Sequence, residues 1–226
     1  MNYFPKDKEF DRYAKSELNV SGSTLDMYKN HIQGSLTPYI LEEREMRVTQ
    51  MDIFSRLMAD RLLWVAGPVN DAMSTVVQAQ LMFLSNTGAE DITMHIDSPG
   101  GSVKSGLSMV DVMEYVPVDI RTINTGMAAS MGSVLLGAGT KGKRSSLRHS
   151  TTMLHQSSGG FRGNIQDAQI DWQEWQKVND ELFVLLGSYC DKDPEQVKED
   201  ASRDFWLNAQ EAVDYGIIDN IIKSQK

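Results

Sequence analysis

The chain has 226 residues, 41% hydrophobic and 23% charged, with 22 basic against 31 acidic side chains. That length and apolar share suit one large domain or two small ones with a real core. They exclude global disorder, and no run approaches the roughly 18–20 apolar residues of a membrane helix. The net charge of −9 argues against nucleic-acid binding, which wants Lys/Arg patches, and the single Cys190 supports neither a disulfide framework nor a zinc motif.

Residues 1–34 are polar with scattered aromatics and end in Gly34-Ser35, which reads as a leader arm. The opening MNYFPKDKEFDRYAKSEL is charged throughout and has no apolar h-region. It is therefore not read as a signal peptide, and a cytoplasmic protein is expected. Residues 35–50, with Pro38 and then a charged run, suit an exposed loop or hairpin. Apolar periodicity begins near Met51-Asp52-Ile53-Phe54.

Strand-like and helix-like segments then alternate. Arg61–Val65 is a short apolar run stopped by Gly67-Pro68. Over Ala72–Leu84 the helical spacing puts Val76, Ala79 and Phe83 on related faces. Asp91–Ile96 alternates as a strand and stops at Ser98-Pro99-Gly100-Gly101, and Ser102–Tyr115 follows as an amphipathic helix. Asp119–Ile123 is a strand running into Gly126, and Ala128–Gly137 reads as a buried helix of small residues. Thr151–Leu154 is another strand. A long helix over Asn164–Tyr189 carries Ala168, Trp172, Trp175, Leu182, Leu186 and Tyr189 at three- and four-residue intervals, as a buried face would. Asp193-Pro194 starts a further helix, and Asn208 with Glu211 forms a capping box for one that Gly216 stops. This alternation implies an α/β domain.

Two strand-to-helix junctions could carry chemistry. At Gly100-Gly101 the backbone can approach a ligand closely, and the following helix offers unpaired N–H groups to an oxyanion or another anion; a plain turn fits the same residues. At Asn124–Gly132 the hydroxyl of Ser130 could stand at a helix start with the Met131 N–H beside it, although small residues there also suit helix packing. The spacing is not the G-x-S-x-G elbow. A serine nucleophile needs a base and an acid to orient it. His31 lies in the leader, His95 alternates in a strand and His149 follows Arg148 in a loop. His155 stands where a strand ends, a place where α/β folds put active residues. Asp193 caps a helix and Asp191 flanks it, which leaves Asp204 as the best candidate for a half-buried carboxylate.

Together these segments resemble the ClpP family, the proteolytic subunits of the Clp protease. The likeness runs from about Ser35 to the C-terminus. It is carried in the family's order by DIFSRLMADRLLWVAGPV, DITMHIDSPGGSV, NTGMAASMGSVLLGAGTKGKRSSL, TMLHQSSGG and SRDFWLNAQEAVDYGIID. It implies a ClpP/crotonase-like single domain over 51–226, built of repeated strand-strand-helix units with a protruding handle at about 157–190. It implies a serine endopeptidase with the triad Ser130, His155 and Asp204, an oxyanion hole at Gly101 and Met131, and substrate binding at Gly100, Gly159, Gly160 and Phe161. Neither a metal nor another cofactor is implied. Two stacked seven-membered rings would enclose the sites, residues 35–50 would form the axial loop, and residues 1–34 would be a propeptide processed before Ser35. An AAA+ unfoldase of the Clp type would feed in unfolded proteins, since this chain has no G-x-x-x-x-G-K-[ST] of its own.

The chain departs from the family's usual residues at Asp97, where Asn is expected, and at Ser157, where Pro is expected. The positions of the apolar cleft that docks the unfoldase include Thr93, His95, Thr125 and Ser145, beside the apolar Ile123 and Leu147; weaker or altered docking is expected. Two other readings stay open. One is a catalytically silent regulatory ring subunit, and the other is an acyl-CoA enzyme of the crotonase type, which shares the fold and a two-amide oxyanion hole.

Overall fold

The computed structural model describes the backbone of residues 39–44 and 47–50, and all atoms of 51–160 and 164–223. The leader expected at 1–34 lies outside these residues, as does Phe161. The chain divides into two units, Met1–Ser55 and Arg56–Lys226. In the first, strands β1 (Tyr39–Arg44) and β2 (Arg47–Asp52) pair antiparallel, Arg44 opposite Arg47, so a hairpin occupies the stretch read as a loop or hairpin. The Asp52 carboxylate then accepts from the amides of Phe54 and Ser55, both at 3.0 Å, and so caps helix α1 (Ile53–Ala59).

The second unit is built on a mostly parallel sheet. Strands β3 (Leu62–Ala66), β4 (Ile92–Ser98), β5 (Ile120–Ala129), β6 (Arg144–Ser146) and β9 (Asn220–Ile221) lie side by side in that order. Helices α2 (Asp71–Thr87) and α3 (Val103–Tyr115) make the crossovers that parallel strands require. Strand β4 alternates cleanly, with Ile92, Met94 and Ile96 buried. They meet Val77 and Leu81 of α2 and Met109 of α3 in one core. The α/β fold implied by the family resemblance is therefore present.

In α2 the stripe of Val76 and Phe83 is not the buried one. Val76 and Phe83 are 54% and 57% exposed, whereas Ser74, Val77, Leu81 and Leu84 face the core. The helix has two adjacent apolar stripes, and periodicity alone does not choose between them. Strand β5 is also longer than expected. It continues past Gly126, so Ala128 and Ala129 are strand residues rather than helix. Opposite Ile96–Ser98 of β4 the strand takes up two extra residues, Ile96 pairing with Asn124 and Ser98 with Ala128. There the Asp97 carboxylate accepts from the Met127 amide at 3.0 Å, and a Cβ on Gly126 would lie 2.6 Å from the same oxygen. This extra length lets β5 serve two partners: Thr122–Asn124 pair with β6, and Met127–Ala129 pair with β7 (Thr151–Leu154).

Strand β7 pairs on its other side, antiparallel, with β8 (Phe205–Asn208). Helix α4 (Met131–Gly137) is buried along its whole length, as its small residues suggest. Helix α5 (Ile165–Cys190) is capped by Asn164 and carries all its buried residues from Leu182 onward. Trp172, expected on a buried face, is 51% exposed, because the helix leaves the core before that turn. Helices α6 (Pro194–Asp200) and α7 (Ala209–Tyr215) start at Asp193 and Asn208 as read, the latter with a complete capping box and Gly216 as its stop.

Candidate active site

Strand β5 ends at Ala129 and α4 begins at Met131, so Ser130 alone must turn the chain. It does so at φ 54 and ψ −123, a conformation that costs a side-chain-bearing residue about 1–3 kcal/mol. Its amide is held by Met153 O at 2.9 Å, and its carbonyl accepts from the Ser133 hydroxyl at 2.6 Å. Its own hydroxyl makes no capping bond to α4. The strain therefore presents a hydroxyl rather than a helix cap.

The Gly100-Gly101 turn faces this serine. Gly100 sits at φ +91, and a Cβ there would lie 2.6 Å from Ser130 Cβ and 2.9 Å from the Met131 nitrogen. Gly101 is at φ +149, with Val69 O only 2.2 Å from where its Cβ would be. No side chain fits at either position. The Gly100 amide is engaged by Ser98 Oγ at 3.1 Å. Among the described residues, the amides of Gly101 and Met131 donate to no acceptor. The second belongs to the unpaired first turn of α4.

His155 and Asp204 are brought together by strand register. Leu154 pairs with Phe205, so the next residue of β7 and the preceding residue of β8 face one another. His155 Nδ1 lies 3.5 Å from Asp204 Oδ1. The Asp204 side chain is 65% exposed, not half-buried as its apolar neighbours suggested, because it stands just before β8 enters the sheet. Ser130 and His155 line one small cavity of about 20 Å³, with Met131, Val103 and the α5 residues Asn179 and Leu182 among its other walls. No hydrogen bond joins Ser130 to His155 among the described residues. Cys190 is no rival nucleophile: burial pushes its thiol up to about 12, so it stays protonated. Among the described residues no cluster of three or more His, Cys, Asp or Glu side chains is placed to hold a metal ion. None of their helices is long and apolar enough to cross a membrane.

Comparison with known proteins gives this geometry a family. The model of the Clp protease family matches residues 43–225. The chain belongs to the Clp protease family. It is 43% identical to the ATP-dependent Clp protease proteolytic subunit of Porphyromonas gingivalis, over 96% of this chain and 99% of that one. To the subunits of the same name from Bacteroides thetaiotaomicron and Bacteroides fragilis it is 45% and 47% identical, over 95% and 90% of this chain and 98% and 99% of theirs. As a Clp protease proteolytic subunit it is an enzyme of the serine-peptidase type.

The remaining positions singled out in this Clp protease chain fall on the loop after His155 or along the sheet. Gly159 lies against the Trp175 ring of α5, where a Cβ would come within 2.3 Å of the indole, and Gly160 is open to solvent. Register aligns Trp64, His95, Ile123 and Ser145 across β3 to β6. Trp64 is 41% exposed and stacks on His95, with ring centroids 4.6 Å apart. Burial holds the His95 imidazole below its ordinary range, and its Nδ1 has no hydrogen-bond partner. Thr125 turns its hydroxyl to Ile96 O at 3.2 Å and Ser145 bonds Asn220 at 3.1 Å, so part of this row's polarity is satisfied within the sheet.

Sequence reasoning missed Asn179. The signal was its place at spacings of four, three and four in Trp175, Asn179, Leu182 and Leu186, the one polar residue in that stripe.

Proposed function

We propose that the chain is the serine endopeptidase subunit of an ATP-dependent Clp-type chambered protease. His155 takes the Ser130 proton as the hydroxyl attacks a peptide carbonyl. Asp204 orients the imidazole through Nδ1 and stabilises the imidazolium, which leaves Nε2 for the hydroxyl. The amides of Gly101 and Met131 hold the tetrahedral oxyanion, a donor of this kind being worth about 3–4 kcal/mol. His155 then protonates the leaving amine, and water, deprotonated by the same imidazole, releases the acyl group from Ser130. The contact between Ser130 and His155 tightens when substrate fills the cavity, as catalytic hydrogen bonds commonly do.

One observation carries this reading. A strained, uncapped serine shares a small cavity with a histidine whose Nδ1 faces a carboxylate, beside two amides that donate to no acceptor among the described residues. Gly100, Gly159, Gly160 and Phe161 hold the substrate strand. Two stacked seven-membered rings, a cytoplasmic location, the leader and axial loop, and an AAA+ unfoldase delivering unfolded chains complete the proposal. Exposed apolar side chains such as Ile170 at 64% and Trp172 at 51% on α5 support burial between subunits. Peptide hydrolysis by Ser130→Ala against wild type is the test. A fall in kcat of at least about 10³-fold, with the fold retained, is expected; equal hydrolysis by both would overturn the mechanism.

A further inference from the structure

His155 is the first residue after β7, and the position of its ring depends on how the following loop is tied down. On one side it is held by the β7–β8 ladder at Leu154 and Phe205. On the other, the Gln156 amide donates to Ala201 O at 3.0 Å. The next residue is anchored to a different element. Ser157 donates from its amide at 3.0 Å and from its hydroxyl at 2.8 Å, both to Asn179 Oδ1 on α5. The Trp175 indole N–H, one helical turn away, donates to the Ser157 hydroxyl. Two residues on, Gly159 lies against the same indole ring, too close for any side chain. Ser157 and Asn179 also line the cavity that holds Ser130 and His155.

One carbonyl oxygen thus takes both donors of one residue, and that residue's hydroxyl oxygen takes a third donor from the same helix. A proline at 157 could supply neither the N–H nor the O–H. Two hydrogen bonds to one oxygen fix the direction of the loop as well as its distance from α5. A serine that only filled space would need none of this.

We propose that Ser157, Asn179 and Trp175 are positioning residues that clip the Gln156–Gly159 loop to α5 and thereby hold the His155 imidazole where it can reach Ser130. The inference rests on the serine-peptidase reading above. Loss of the clip leaves Gly100 and the oxyanion amides in place but frees the loop that carries Gly159, so its cost falls first on the proton-transfer step and only secondarily on substrate binding. A displacement of about 1 Å in a reacting group can cost about 10²-fold.

The test compares full-length wild type with Ser157→Ala, Asn179→Ala and Ser157→Thr, using steady-state hydrolysis of a fluorogenic peptide. Deuterium uptake of the peptide spanning residues 156–160 reports the clip without catalysis. The alanine variants are expected to lower kcat about tenfold or more with a smaller rise in KM, to take up deuterium faster, and to show no further loss when combined. Ser157→Thr, which keeps the hydroxyl, restores kcat to within about threefold of wild type. Faster uptake with unchanged kcat, or a raised KM with unchanged kcat, would overturn the inference. So would unchanged uptake in both alanine variants. Failure of Ser130→Ala to lose activity would instead overturn the underlying reading, and the uptake measurement separates the two.

Discussion

Arg144 shows how this fold handles a charge taken out of water. Its side chain is 3% exposed and its guanidinium is fully engaged, with Asp219 at 2.6 and 3.0 Å and Tyr189 O at 2.7 Å. Burial pushes the Asp219 carboxyl up, but the side-chain and backbone hydrogen bonds from Arg144 outweigh this and hold it below its ordinary range. Removing one partner leaves the other charge buried without compensation. Asp219→Ala is expected to lower unfolding free energy by about 3–5 kcal/mol in urea titrations; a loss under about 1 kcal/mol would refute the role. Because the folded carboxyl is depressed, the pair's contribution is present above the unfolded value near pH 4. It is lost as pH falls through the lower, folded value. The wild-type urea midpoint should therefore fall below about pH 4 more steeply than that of Asp219→Ala. At this scale the sequence was partly readable. Ser130, His155 and Gly101 stood out because each occupies a strand end or a glycine turn. Asp204 was placed in the right segment and the wrong environment, since exposure depends on where β8 joins the sheet.

At the scale of elements, the caps at Asp193 and Asn208 were read from the sequence, those at Asn70, Ser102 and Asn164 were not, and neither was most strand pairing. Asn70, Ser102, Asn164, Asp193 and Asn208 each accept from the first turn of the helix they begin, an interaction written within a few residues of sequence. Strands β6, β8 and β9 are four residues or fewer and carry little alternation of their own. They exist because β5, β7 and β6 in turn offer them edges, which is tertiary information. The same holds for β5: beyond Gly126 it is held by the Asp97 carboxylate, which reaches across from β4 to the Met127 amide, and by pairing with β7. That extension decides the site, because it carries Ser130 beyond β6 to the end of β7, next to His155. The clip on α5 belongs here too. Its partners lie 22 and 18 residues from Ser157, too far for any local pattern to join them.

For the whole molecule, the described chain buries one core and leaves much of α5 and one stripe of α2 unburied. Ile165 at 79%, Ile170 at 64%, Val184 at 56% and Phe83 at 57% exposure are more apolar surface than a solitary subunit would keep without use. The proposed stacked rings account for that surface. Native mass spectrometry is expected to find fourteen copies of the processed subunit; a monomer at micromolar concentration would contradict the assembly. None of this matters if the hydroxyl at the β5–α4 turn is not the nucleophile. Reaction with a fluorophosphonate followed by peptide mapping addresses that point most directly. A single adduct on Ser130, abolished by His155→Ala, is the expected result. An active enzyme that carries its adduct on another serine, or none at all, would contradict the account.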